Sequence, residues 1–152
     1  MIHGVEIKEL VTNADERGFF REVIRATDGF FKEGFGQWSH TKTHAGAAKA
    51  WHVHQKQTDW WYVAVGAVKV ALYDTRKDSP TRGKLEEYLL GEQYGAKVLK
   101  VPPGVAHGYK VLEGPAHLFY ITSHTYDPND EGRIPHDDAT IGYDWTKDPE
   151  IK

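Results

Sequence analysis

The sequence predicts an all-β protein, a sandwich or barrel of short strands. Three observations predict it. Runs rich in β-branched and aromatic residues recur at short intervals. Gly, Pro and Asp punctuate them, as turns require. No segment carries a long apolar repeat at the helical period.

In chain order, "GFFREVI" (18–24) is a weak strand. In "AWHVHQK" (50–56), side chains two apart on a strand face the same way. His52 and His54 therefore share a face, with Trp51 and Val53 opposite. "DWWYVAVGAVKVALYD" (59–74) divides at Gly66 into two β-rich halves and reads as a hairpin. "KLEEYLL" (84–90), held between Gly83 and Gly91, is too short for a helix and reads as a strand. "AKVLKV" (96–101) is a strand ended by "PPG", and His107 follows that corner. "HLFYITS" (117–123) is a strand entered through the turn "EGP". Residues 125–152, rich in Asp, Pro, Gly and His, read as an ordered, loop-rich tail around the barrel. No linker or repeat interrupts the chain, so residues 1–152 read as one domain.

Composition narrows the function classes. Charged residues make up 27% and hydrophobic ones 39%, ordinary for a globular protein. The net charge is −3, and no Lys/Arg run suggests a nucleic-acid or membrane-surface partner. Without cysteine there is no disulfide, thiolate ligand or Cys nucleophile. Glu6, Glu9, Asp15 and Glu16 crowd the region where a secretory signal would be apolar. No run approaches the roughly 18 apolar residues of a spanning helix. The expected setting is the cytoplasm.

The histidines carry the chemical signal. Gly46, His52-x-His54, Asp59 and Gly66 have the spacing of the first cupin motif, and Pro102-x-Gly104-x-x-His107 echoes the second. This resemblance implies a cupin-type jelly-roll barrel. It also implies one functional alternative, a metal-dependent cupin. There His52, His54, Asp59 and His107 would hold one divalent transition metal, a donor set of imidazoles and carboxylate that suits such ions.

A second resemblance covers residues 15–145. "DERGFFRE" (15–22), "FGQWSHTKTHAG" (35–46), "KAWHVHQ" (49–55), "ALYDTRKDSPTRGK" (71–84), "VPPGVAHGYKVLEG" (101–114), "FYITSHTYDPNDEGRI" (119–134) and "DDATIGYDW" (137–145) stand in the order of the dTDP-4-dehydrorhamnose 3,5-epimerase family. That family is similar in fold and works without a metal. The resemblance implies an epimerase or isomerase of a nucleotide-linked 4-keto-6-deoxy sugar, without a cofactor and with one or two centres inverted. A ketone acidifies the neighbouring C–H bonds, and inversion needs a base on one face and an acid on the other. His52 matches the family's base and Tyr120 its acid. His107, Gln37 and Tyr126 match substrate contacts, as do Arg17 and Glu22 at the nucleotide end, with Arg17 reaching from the partner of a homodimer.

Four departures from the family stand out. Lys49 replaces an Arg, keeping the charge without the bidentate grip. His54 replaces a Gln after the base. Asp59 aligns with a Lys that steadies the enolate oxygen. The family's base-paired Asp has Asp148 as its nearest counterpart. A non-catalytic sugar-binding cupin is the remaining alternative.

Overall fold

The computed structural model describes residues 1–148. Ten strands lie among them: β1 (Glu6–Glu9), β2 (Asn13–Asp15), β3 (Gly18–Phe20), β4 (Gln37–Thr43), β5 (Ala48–His54), β6 (Asp59–Asp74), β7 (Leu85–Gly91), β8 (Lys97–Val101), β9 (Val105–Thr122) and β10 (Glu131–Arg133). Two single-turn 3-10 segments complete the regular structure of the described residues.

The long strands β6 and β9 organise the barrel. They pair antiparallel from Asp59↔Thr122 to Asp74↔Val105. The first part of β6 also carries β8, which in turn carries β1. The last part of β9 carries β4. The other halves belong to a second layer, with β7 on β6, β5 on β9, and β10 on β5. The result is the jelly-roll arrangement that the cupin motifs imply, and β2–β3 stands apart as a hairpin.

Gly66 is therefore a bend inside β6 and not the turn of a hairpin. The register with β9 shifts around it, and its φ is +77°. A Cβ there would come within 2.4 Å of the Glu113 carbonyl oxygen. A lone glycine between two β-rich runs fits a bulge as well as a turn, and "VGA" lacks the second turn-forming residue a tight hairpin needs. The same correction applies across the sheet: "EGP" lies within β9 and does not open a new strand. "GFFREVI" keeps strand geometry only over Gly18–Phe20, whereas "KLEEYLL" is β7 as expected.

Val68, Val70, Leu72, Leu99, Val101, Val105 and Val111 fill the space between the layers. On the outer side of the second layer, Trp51, Ala71, Ala106 and Trp145 form a separate cluster against Tyr143. Trp145 and Tyr143 anchor the tail in this cluster; the part of the predicted tail beyond residue 148 lies outside the described residues.

The "DTRKDSPTRG" segment is structural. Asp74 is fully buried and accepts hydrogen bonds from Arg76 Nε at 2.8 Å, Ser79 Oγ at 2.6 Å and Thr81 Oγ1 at 2.6 Å. Burial alone would raise its pKa, but the bonds from Arg76, Ser79 and Thr81 win and hold it well below the ordinary value of 3.8. Asp74→Ala leaves Arg76 without its buried partner and should cost about 3–5 kcal/mol in urea unfolding. The ionised carboxylate stabilises the fold fully above the unfolded pKa of 3.8. That contribution is lost as pH falls below it, so the gap between wild type and variant should narrow on acidification.

Candidate active site

Strand β5 sets the site. Its alternation buries Trp51 and Val53 on the outer side and turns His52 and His54 inwards, half-buried. On the neighbouring strand, His107 is the direct register partner of His52. The Pro-Pro-Gly corner before β9 is tied to β5, because the Gly104 N–H donates to the His54 carbonyl at 2.7 Å. Between the layers lies a cavity of about 270 Å³, lined by His52, His54, Asp59, His107, Tyr120 and Glu131. Gln37, Lys49 and Tyr126 also line it.

His52 has a partner that the sequence did not point to. Its Nδ1 lies 3.1 Å from Glu131 Oε1, a residue of β10 that reaches the pocket because β10 pairs with β5. A carboxylate only accepts, so Nδ1 carries the proton and Nε2 is left as a base. Burial lowers the His52 pKa, with the Glu131 charge opposing it. Glu131 also accepts from Tyr126 Oη at 3.3 Å and Arg133 Nη2 at 3.4 Å. Burial would raise its pKa, but Arg133 and His52 outweigh that and keep it ionised. Asp148, the expected counterpart of the base-paired Asp, does not reach His52. It is exposed and bound to Lys110 Nζ at 2.8 Å. Glu131 escaped notice because it lies 79 positions from His52 on a three-residue strand with no periodicity of its own.

Tyr120 enters the pocket from β9, opposite Ser39 of β4 and Trp61 of β6. Burial raises its pKa and outweighs the hydrogen bond from Ser39, so the phenol keeps its proton at neutral pH. Gln37 accepts from the Tyr126 N–H at 2.9 Å and so fixes that residue at the pocket. Lys49 donates to Thr41 Oγ1 at 3.1 Å.

The four-residue metal cage does not assemble. Ligand atoms of His54, Asp59 and His107 lie within 4.8 Å of one another, but His52 stands outside that group and is held by Glu131. Strand β10 supplies the anion that holds His52, since it pairs with β5 on the edge away from β9. Arg17 and Glu22 are also absent from this chain's pocket. Arg17 is exposed on the β2–β3 hairpin and pairs with Asp15 at 2.5 Å, and Glu22 pairs with Arg25 at 2.6 Å.

Residues 1–152 match the dTDP-4-dehydrorhamnose 3,5-epimerase family. The chain belongs to that family. It is a nucleotide-sugar epimerase by class. It is 46% identical over 148 residues to the spore coat polysaccharide biosynthesis protein SpsL of Bacillus subtilis, covering 95% of this chain and 97% of that protein. Among solved structures, a dTDP sugar isomerase from Desulfovibrio desulfuricans superposes with a TM-score of 0.89 at 28% identity, covering 97% of this chain and 94% of the other. The dTDP-6-deoxy-D-glucose-3,5-epimerase RmlC from Legionella pneumophila, solved with dTDP-4-keto-L-rhamnose, gives 0.84 at 28% identity, covering 97% and 81%.

In this epimerase the His52–Glu131 contact is open to a direct test. Glu131→Gln keeps the shape but removes the charge that holds Nδ1–H. Turnover should fall roughly 10²-fold with KM little changed if His52 is the base that Glu131 orients. Steady-state kinetics checks this; an unchanged kcat would show that Glu131 does not position His52.

Proposed function

We propose that the protein inverts a ring carbon beside the ketone of a nucleotide-linked 4-keto-6-deoxy sugar. His52 Nε2 removes the proton from that carbon. The C–H electron pair passes into the C–C bond to the carbonyl, and the carbonyl oxygen becomes an enolate. Tyr120 then gives its phenolic proton to the carbon from the opposite face, and both side chains recover their starting states by exchange with water. The observation that carries this reading is the Glu131-held His52 in the same pocket as a protonated Tyr120. Proton transfer by these side chains needs no organic cofactor.

Gln37, Lys49, His54, His107 and Tyr126 line the remaining wall and are the proposed sugar and phosphate contacts. The nucleotide end is proposed to meet Glu22 and Arg17, the latter from a second copy in a homodimer. Two features support the dimer: Arg17 is too exposed to serve its own pocket, and Phe19 and Phe20 beside it are 56% and 64% exposed. No helix of the described residues is long and apolar enough to cross a membrane. A cytoplasmic setting belongs to the proposal.

The test is the stereochemistry of the product. Incubating dTDP-4-keto-6-deoxyglucose with the protein should give a sugar whose ring-proton couplings in the NMR spectrum report inversion at C3, C5 or both. An unaltered sugar after prolonged incubation with folded protein would contradict the proposal for this substrate.

A further inference from the structure

We infer that His54, Asp59 and His107 form a binding site for one divalent first-row transition ion, through which His54 and His107 meet the substrate. The use given to the ion rests on the proposed epimerisation; the site itself rests on geometry.

The first observation is convergence. One ligand atom from each residue lies within 4.8 Å of the other two, and Asp59 and His107 are buried. The second is an accounting of hydrogens. His107 Nδ1 lies 3.0 Å from the Val105 carbonyl, which can only accept, so Nδ1 carries the proton. His107 Nε2 then presents a lone pair, 3.9 Å from Asp59 Oδ2. The Asp59 carboxylate takes donors from Gln57 Nε2 at 2.8 Å and Trp61 Nε1 at 3.2 Å, both from its own strand region. Two acceptors therefore face each other with no hydrogen between them. Asp59 Oδ2 already accepts from Trp61, so the open position is the His107 Nε2 lone pair, and a cation shared with the carboxylate would take it.

The third observation is the frame. The Gln57 and Trp61 donors fix the carboxylate, the Val105 carbonyl fixes the His107 tautomer, and the Trp61 and His107 rings pack at right angles, 5.2 Å between centroids. Such partners orient metal-binding groups. Two imidazoles and a carboxylate, with no thiolate, suit Mn, Fe, Co, Ni or Zn in the divalent state. Ligands around such an ion stand about 3.4 Å apart at metal–ligand bonds near 2.1 Å, so a small side-chain rotation closes the 3.9 Å gap. Three protein ligands leave positions open on the cavity side.

The arrangement also resolves a conflict in the sequence. Asp59 puts negative charge where the family carries a Lys, and a bound ion would supply positive charge to a pocket in which an enolate forms. Because His52 is held by Glu131 and is not a ligand, it remains free to act as the base.

The experiment is metal analysis of purified protein. Cells are grown with added Mn, Fe, Co, Ni or Zn salts, and the protein is desalted and measured by mass spectrometry of the elements. Wild type and His52→Ala should each hold about one ion per chain, and Asp59→Asn and His54→Ala less than about a tenth. His54 is half-buried at the pocket wall, so its variant keeps the test valid if Asp59→Asn fails to fold. Adding the ion to chelator-treated wild type should raise Tm by several degrees, with no rise in His54→Ala. Wild type holding less than about a tenth of an ion under every supplement overturns the inference. So does His54→Ala that holds as much as wild type. Solvent-deuterium exchange into the sugar, measured separately, tells this failure from failure of the epimerase reading: a protein that exchanges without metal keeps the latter alone, and one that holds metal without exchange keeps the former alone.

Discussion

His52→Ala should lower solvent-deuterium uptake into the ketosugar by roughly 10³–10⁴-fold, the upper range for loss of a general base. The side chain is 36% exposed at the pocket wall, so its removal leaves no cavity in the core and Tm should change little. Substrate binding should survive, since Gln37, Lys49 and Tyr126 are untouched. The variant is best measured by ring-proton exchange in heavy water alongside thermal unfolding. Uptake within tenfold of wild type would remove His52 from the mechanism.

Tyr120→Phe separates the two halves of the reaction. The ring volume is retained and only the hydroxyl is lost. If His52 takes the proton and Tyr120 returns one on the other face, the variant should still exchange the ring hydrogen. Exchange should stay within about tenfold of wild type, because His52 can return a solvent-derived proton to the same face. Inversion should fall by roughly 10²–10³-fold. NMR of the product follows both at once: deuterium content reports exchange, and coupling constants report configuration. An inversion rate matching wild type would assign the acid to another residue.

Much of this architecture was legible in the residues. Alternation in "AWHVHQK" correctly put His52 and His54 on one face, and the buried Trp51 and Val53 show why: the strand lies between the pocket and the aromatic cluster of the tail. β7 and β8 followed from propensity and length. The two long strands did not, because Gly66 and the "EGP" segment mark bends whose alternative, a turn, has the same local composition. Which alternative holds is decided by pairing between β6 and β9, a property of distant residues.

The site was legible to the same degree. Spacing brought His52, His54, Asp59 and His107 forward, and motif order added Tyr120, Gln37, Lys49 and Tyr126, all of which line the cavity. Spacing could not show that a three-residue strand delivers Glu131 to His52, which separates one histidine from the other three ligand candidates. The "ALYDTRKDSPTRGK" part of the family match has a structural role, with Ser79 and Thr81 wrapping the buried Asp74.

The central claim is proton abstraction beside the sugar ketone in a pocket built around His52 and Tyr120. Its most direct measurement is incubation of dTDP-4-keto-6-deoxyglucose with the protein in heavy water, followed by mass and NMR analysis of the sugar. The account predicts deuterium at C3, at C5 or at both, one atom per centre, at a rate that depends on His52. A sugar that returns without deuterium from folded protein would contradict it.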